Sequence, residues 1–198
     1  SPEGAAAATF HTAELYRDFG QAVLASQRPR RLGKAELEQY QVMLEEQAFP
    51  FEEKAVELHA GNTRLTAQGL YDEWVRRSYA ALREMRPLRY AKPERPTVGE
   101  AGTAGGWNAL AIAHREAGRF DEAEAAYRRA LALDASLASA HLNLGILYDL
   151  YLHDNTRALA QYDAYPKLAG GDATVSKWLA DLRLREARPS LAVNSVKA

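Results

Sequence analysis

Apolar residues recur along this chain at intervals of three and four in several separate stretches, the spacing of helices that bury one face. In "TAELYRDFGQAVLAS", Thr12 to Ser26, the residues Leu15, Phe19, Ala22 and Val23 fall near one such face. Pro29 and Gly33 in "QRPRRLG" then break the pattern. A second helix is predicted from Lys34 to Ala48, with Leu37, Tyr40, Val42 and Leu44 as apolar contributors. Pro50 suits the first turn of a further helix, with Glu52 and Glu53 close behind and Val56, His59, Leu65 and Leu70 along a face. Gly61, Asn62 and Gly69 leave one long helix or two as alternatives there. Tyr71 to Met85 reads as helix, with Trp74, Tyr79, Leu82 and Met85 as candidate core residues.

The punctuation between these stretches sets the expected domain layout. "SPEGAAAAT" opens a flexible N-terminus over residues 1–11, and an N-terminal helical region covers 12–86. Pro87, Pro93 and Pro96, followed by Gly99, Gly102, Gly105 and Gly106, argue against a continuous helix and predict a linker at 87–103. Residues 104–188 form a C-terminal region of two repeats and a final helix, and 189–198 form a tail after Pro189.

The repeat is explicit in the residues. Trp107, Leu110, Ala111 and His114 are followed by Gly118 and Phe120 at a turn, then by Ala123, Tyr127, Ala130 and Leu131. His141, Leu144, Gly145 and Tyr148 repeat the first four positions 34 residues later. The second half slips by one, since Ala158, Tyr162 and Tyr165 answer Ala123, Tyr127 and Ala130. One residue has been added around "YLHDNT", which predicts a longer inter-helix turn with Asp154 or Asn155 as the next helix cap.

This grammar resembles the tetratricopeptide repeat, a helix–turn–helix unit of about 34 residues. Ala111 stands where that family usually has glycine, His114 where it has tyrosine, and Ala135 where proline commonly ends the unit. The resemblance covers residues 104–168. It implies an all-α fold in which helical hairpins form a short right-handed solenoid, with additional N-terminal helices beside it. "ATVSKWLADLRLREARP" supplies a cap helix, with Val175, Trp178, Leu179, Leu182 and the stem of Arg185 covering the open end of the second repeat. Two repeats and a cap are few for an isolated array. The N-terminal helices around Trp74 are therefore expected to pack on the first repeat, unless the array continues into a second chain.

Composition narrows the function. A net charge of -1 provides no overall field to attract nucleic acid. A local basic stretch at 76–95 carries seven Lys or Arg against two acids and reads as a solvated helix end and linker. With no cysteine, disulfides and thiolate chemistry are excluded. No apolar run reaches membrane-spanning length. The start at Ser1 fits a removed signal peptide, a removed lipoprotein leader or a trimmed end, so a lipid anchor ahead of Ser1 is part of the expectation.

No constellation points to catalysis. His114 and His141 occupy packing positions of the repeat, and no HxxxH or clustered spacing supports a metal site around His153 and Asp154. There is no GxSxG element, and "GEAGTAGG" lacks the lysine and hydroxyl of a phosphate loop. The expectation is a non-enzyme without cofactor or metal. An enzyme would need His59 and nearby glutamates to converge in a closed cleft.

The resemblance places a protein or peptide partner on the first helices of the repeats. Partner-facing positions map onto Asn108, Ile112, Arg115 and Glu116 in the first copy, and onto Leu142, Asn143, Ile146, Asp149 and Leu150 in the second. Asparagine can hydrogen-bond a peptide main chain, and Arg115 can receive a carboxylate. Leu142, Ile146 and Leu150 form an apolar stripe that is either open to a partner or covered by the protein's own helices. Two readings follow: a scaffold or adaptor that binds protein, and an oligomerisation module whose repeat surface pairs chain to chain. "LNLGILYDLYLHDNTRALAQYDAY" with the Trp178 helix resembles envelope repeat proteins that assist complex assembly. That resemblance implies a periplasmic or outer-membrane-attached bacterial protein; the alternative is cytoplasmic.

Overall fold

Helices account for all the regular structure of the computed structural model, which describes residues 2–187; the expected tail at 189–198 and the stop at Pro189 lie outside the described residues. The chain divides between Pro87 and Leu88 into two units. The first unit holds α1 (Pro2–Leu24), α2 (Lys34–Thr63) and α3 (Glu73–Met85), and α4 (Pro87–Tyr90) is a single turn at the division. The second holds α5 (Ala104–Glu116), α6 (Phe120–Leu133), α7 (Ala138–Ile146), α8 (Asn155–Ala169) and α9 (Ala173–Ala187). A π-helical turn, Leu147–Tyr151, continues α7.

The first unit corrects four expectations. Residues 2–11 are the first turns of α1, where the sequence suggested a flexible end. Alanine-rich sequence favours helix, and proline is tolerated in a first turn. The buried face of α1 is Ala6, Phe10, Ala13 and Gly20, while Leu15 and Phe19 are 59% and 60% exposed. Small residues let α1 lie close against α2: a Cβ on Gly20 would sit 3.5 Å from the Phe51 and Glu52 side chains. The large apolar residues that dominated the pattern point outward.

Pro50 lies inside α2 rather than starting a helix. Proline removes one backbone donor and leaves the carbonyl four residues earlier unpaired. Glu46 and Pro50 are both exposed, so water can satisfy that carbonyl. Of Leu37, Tyr40, Val42 and Leu44, only Leu44 is buried. In α3, whose cap is Asp72 accepting the Val75 N–H at 2.9 Å, Tyr79 and Leu82 are buried and Trp74 and Met85 half-buried. Trp74 packs at a tilt against Phe10 and His11 of α1, with ring centroids 5.5 and 4.9 Å apart.

In the second unit α5 pairs with α6 and α7 with α8, while α9 packs on α8. Ala111, Ala123, Tyr127, Ala130, Leu144, Ala158, Tyr162 and Tyr165 are all buried, as are Val175, Trp178, Leu179 and Leu182 on α9. Leu110 and Trp107 are less enclosed. The added residue of the second copy does not lengthen the turn between its helices. Residues 117–119 join α5 to α6, and residues 152–154 join the π-helical turn to α8. The extra residue is absorbed within the helix, where the Leu152 N–H bonds the Leu147 carbonyl at 3.0 Å and the Asp154 N–H bonds the Tyr148 carbonyl at 2.8 Å. Asp154 is the cap of α8, accepting from the Arg157 N–H at 2.8 Å.

Candidate functional site

The residues expected to form a linker contain the main feature of the second unit. Residues 91–100 carry no regular structure, and they are held along α5 and α7 by side chains of both helices. Pro93 and Pro96 bias their neighbours to extended backbone, which leaves main-chain donors and acceptors free to meet an outside partner.

Arg95 meets that partner in Asn143. The Arg95 N–H donates to Asn143 Oδ1 at 2.7 Å, and Asn143 Nδ2 returns a bond to the Arg95 carbonyl at 2.9 Å. Asn108 Nδ2 reaches the same carbonyl at 3.3 Å and the Thr97 hydroxyl at 2.9 Å. The two asparagines are themselves joined, Asn143 Nδ2 donating to Asn108 Oδ1 at 3.0 Å. Each amide therefore has its donor and acceptor used, which a buried amide requires.

Two side chains of the segment enter charged pockets. Glu94 accepts from Arg115 Nε at 2.9 Å, from Arg115 Nη2, and from the Tyr127 hydroxyl at 2.7 Å. Burial works against the Arg115 charge, but donation to the Glu94 carboxylate outweighs it and raises the guanidinium above its ordinary value. Burial, with Glu94 beside it, pushes the Tyr127 phenol up, so it stays a donor.

Lys92 bonds Asp149, and neither side chain is exposed (0% each). The ammonium lies 5.2 Å from the Tyr162 ring centroid and 5.1 Å from that of Trp178, so aromatic faces and a carboxylate form its pocket. Asp149 also faces Arg89 Nη1 at 3.0 Å and Arg185 Nη2 at 3.1 Å, and it accepts from the Tyr162 hydroxyl at 3.3 Å. Cations therefore outnumber the carboxylate. Burial alone would raise the Asp149 carboxyl, but Arg89, Lys92 and Arg185 together hold it below the usual range. Burial lowers Lys92 to about 8, with Asp149 opposing and the two arginines adding to the drop.

The nine residues expected to face a partner thus separate. Asn108, Arg115, Asn143 and Asp149 converge on residues 92–97 of the chain itself. Ile112 is half-buried and Glu116 exposed, the latter 3.6 Å from Arg115. Leu142, Ile146 and Leu150 are 1%, 1% and 2% exposed, so the stripe is core in this conformation and not a free surface. Sequence reasoning missed Lys92, Glu94 and Arg95 as groove occupants, and Tyr162, Trp178 and Arg185 as pocket walls. The available signal was "KPERP" itself, two charges held extended between prolines.

In the first unit His59 meets one glutamate rather than several. Its Nε2 lies 3.0 Å from Glu14 Oε1, and its Nδ1 lies 3.3 Å from the Ser78 hydroxyl. Asn62 donates to Ser78 Oγ at 3.0 Å and to the Ala6 carbonyl at 2.9 Å. His59 and Ser78 are wholly buried and Glu14 is partly exposed, and the network ties α1, α2 and α3 together. Among the described residues no group of three His, Cys, Asp or Glu could hold a metal ion. No helix among them is long and apolar enough to cross a membrane.

Residues 113–149 match the family model described as TPR repeat, a stretch that runs from the last turn of α5 through α6 and α7 into the π-helical turn. No curated protein matches the chain.

Proposed function

With residues 113–149 identified as a tetratricopeptide repeat, a unit that generally mediates protein–protein interaction and scaffolding, we propose that this chain is a non-catalytic adaptor that receives an extended protein segment along α5 and α7. One observation carries the reading: Asn143 and Asn108 grip the main chain of Arg95, so this surface has the chemistry to hold an extended peptide irrespective of its side chains. Arg115 adds a carboxylate site. Ile112 and Glu116 extend the contact.

The reading extends to assembly of complexes in a bacterial envelope, with the protein periplasmic or attached to the outer membrane. Its support is the resemblance of residues 142–165 and the Trp178 helix to envelope repeat proteins. Fractionation of the source cells tests it, and a purely cytoplasmic protein would overturn it. Self-association through the repeat surface has weaker support, because Leu142, Ile146 and Leu150 are buried.

The adaptor reading is tested by affinity capture from native extract. Wild-type chain is compared with a chain carrying Asn108→Ala, Arg115→Ala and Asn143→Ala, once matching helical content is verified. Partners lost by the triple variant are the expected result. Partners retained equally by both would place the site elsewhere.

A further inference from the structure

We propose that residues 91–97 are a displaceable occupant of the α5–α7 groove, and that the partner they exclude is an extended segment with a lysine followed two residues later by a carboxylate. The proposal rests on the adaptor reading and specifies its partner.

The spacing of the two pockets defines the pattern. Lys92 fills the pocket of Asp149, Tyr162 and Trp178. Glu94 fills that of Arg115 and Tyr127. In extended chain, residues two apart point the same way, so one continuous peptide satisfies both pockets while the residue after the carboxylate presents its N–H and carbonyl to Asn143. The pockets belong to the helices: Asp149 to the π-helical turn, Tyr162 to α8, Trp178 to α9, Arg115 to α5 and Tyr127 to α6. The positions filled by Lys92 and Glu94 can therefore be filled from another chain.

The character of the contact favours exchange. Helix packing in this unit is apolar, through Tyr127, Leu144, Tyr162 and Leu182. Residues 92–97 are held mainly by hydrogen bonds and ion pairs. A buried ion pair returns little net stability, because desolvation consumes most of the Coulomb gain. An incoming segment with the same pattern replaces those interactions one for one. Val98, next along the chain, is fully exposed, while Gly99 beyond it packs against the first turn of α5, where a Cβ would lie 2.5 Å from the Gly106 nitrogen; the exchangeable stretch therefore ends at Val98. An internal occupant lowers apparent affinity in proportion to the fraction of time the groove is open.

The probe is a labelled peptide of residues 88–98, "LRYAKPERPTV", titrated into the full chain. Lys92→Ala with Glu94→Ala in the protein weakens the internal occupant but leaves both pockets intact. The expected result is peptide binding at least about tenfold tighter than to wild type. A peptide with the same two alanines keeps only the main-chain bonds and should bind at least about tenfold more weakly. Equal binding of both peptides would overturn the lysine–carboxylate specificity and leave the main-chain adaptor reading standing. No binding of either peptide to the folded variant would overturn the proposal. Hydrogen exchange on wild type gives an independent readout if the variant does not fold. The Arg95 amide should exchange well before those of α6 and α7, and exchange at the same rate as the helices would make the segment a permanent part of the unit.

Discussion

Asn143 binds both polar ends of a single residue, taking the Arg95 N–H at 2.7 Å and donating to the Arg95 carbonyl at 2.9 Å across 48 positions of sequence. Replacing Asn143 with Ala leaves that N–H without its partner and also removes the bond to Asn108. The expected cost is about 1–3 kcal/mol, the penalty for orphaning a buried polar group. Urea unfolding measures it, and exchange of the Arg95 amide should accelerate in the same variant. An unchanged midpoint and unchanged exchange would mean that the bond contributes nothing.

Gly145 marks a close approach between α7 and α8. A Cβ there would lie 2.6 Å from the Tyr162 ring. Gly145→Ala should therefore destabilise by about 1–3 kcal/mol through overpacking, although alanine is the better helix former. Adding Tyr162→Leu should recover part of the loss, because the clash and its relief share one contact. Thermal melts of the single and double variants decide this, and simple additivity would contradict the steric account.

His153 has a φ of 53°, the left-handed conformation that Gly118 adopts at the corresponding turn of the first repeat with a φ of 74°. Left-handed backbone costs a residue with a Cβ about 1–2 kcal/mol. His153→Gly should stabilise the chain by about 1 kcal/mol, while His153→Ala should not. A denaturation midpoint that fails to rise with glycine would contradict the backbone-strain account.

His59 gives the first unit a pH dependence. Burial lowers its pKa below 6.5, and Arg17 adds to the drop, while Glu14 opposes it. With the folded value below the unfolded one, the unfolded chain binds more protons in the interval between them. This group's contribution is fully present above 6.5 and is lost as pH falls through the folded value. Unfolding midpoints should fall on acidification below 6.5, and the His59 ring resonance should titrate below 6.5 in the folded protein. Titration at or above 6.5 would refute the assignment.

Sequence by itself determined the repeat unit. Ala123, Tyr127, Leu144, Ala158 and Tyr162 recur in phase because they pack between helices adjacent in sequence, and all are buried. The one-residue slip was visible too, but its location was not. A residue added near Tyr148 can lengthen a turn or distort a helix, and both have the same spacing in sequence. Only the packing of the hairpin placed it in the π-helical turn Leu147–Tyr151.

Tertiary structure alone decided what lies against what. In α1 the larger apolar residues Leu15 and Phe19 were the stronger periodic signal, yet close approach to α2 buries Ala6, Ala13 and Gly20 instead. In 91–97, Pro93 and Pro96 set an extended backbone from local sterics. The surface that receives it is set by Asn143 and Asp149, 48 and 57 residues away. Local conformation follows from neighbouring residues, whereas the partner of an extended segment depends on hydrogen bonds and charges that come together only when the chain folds.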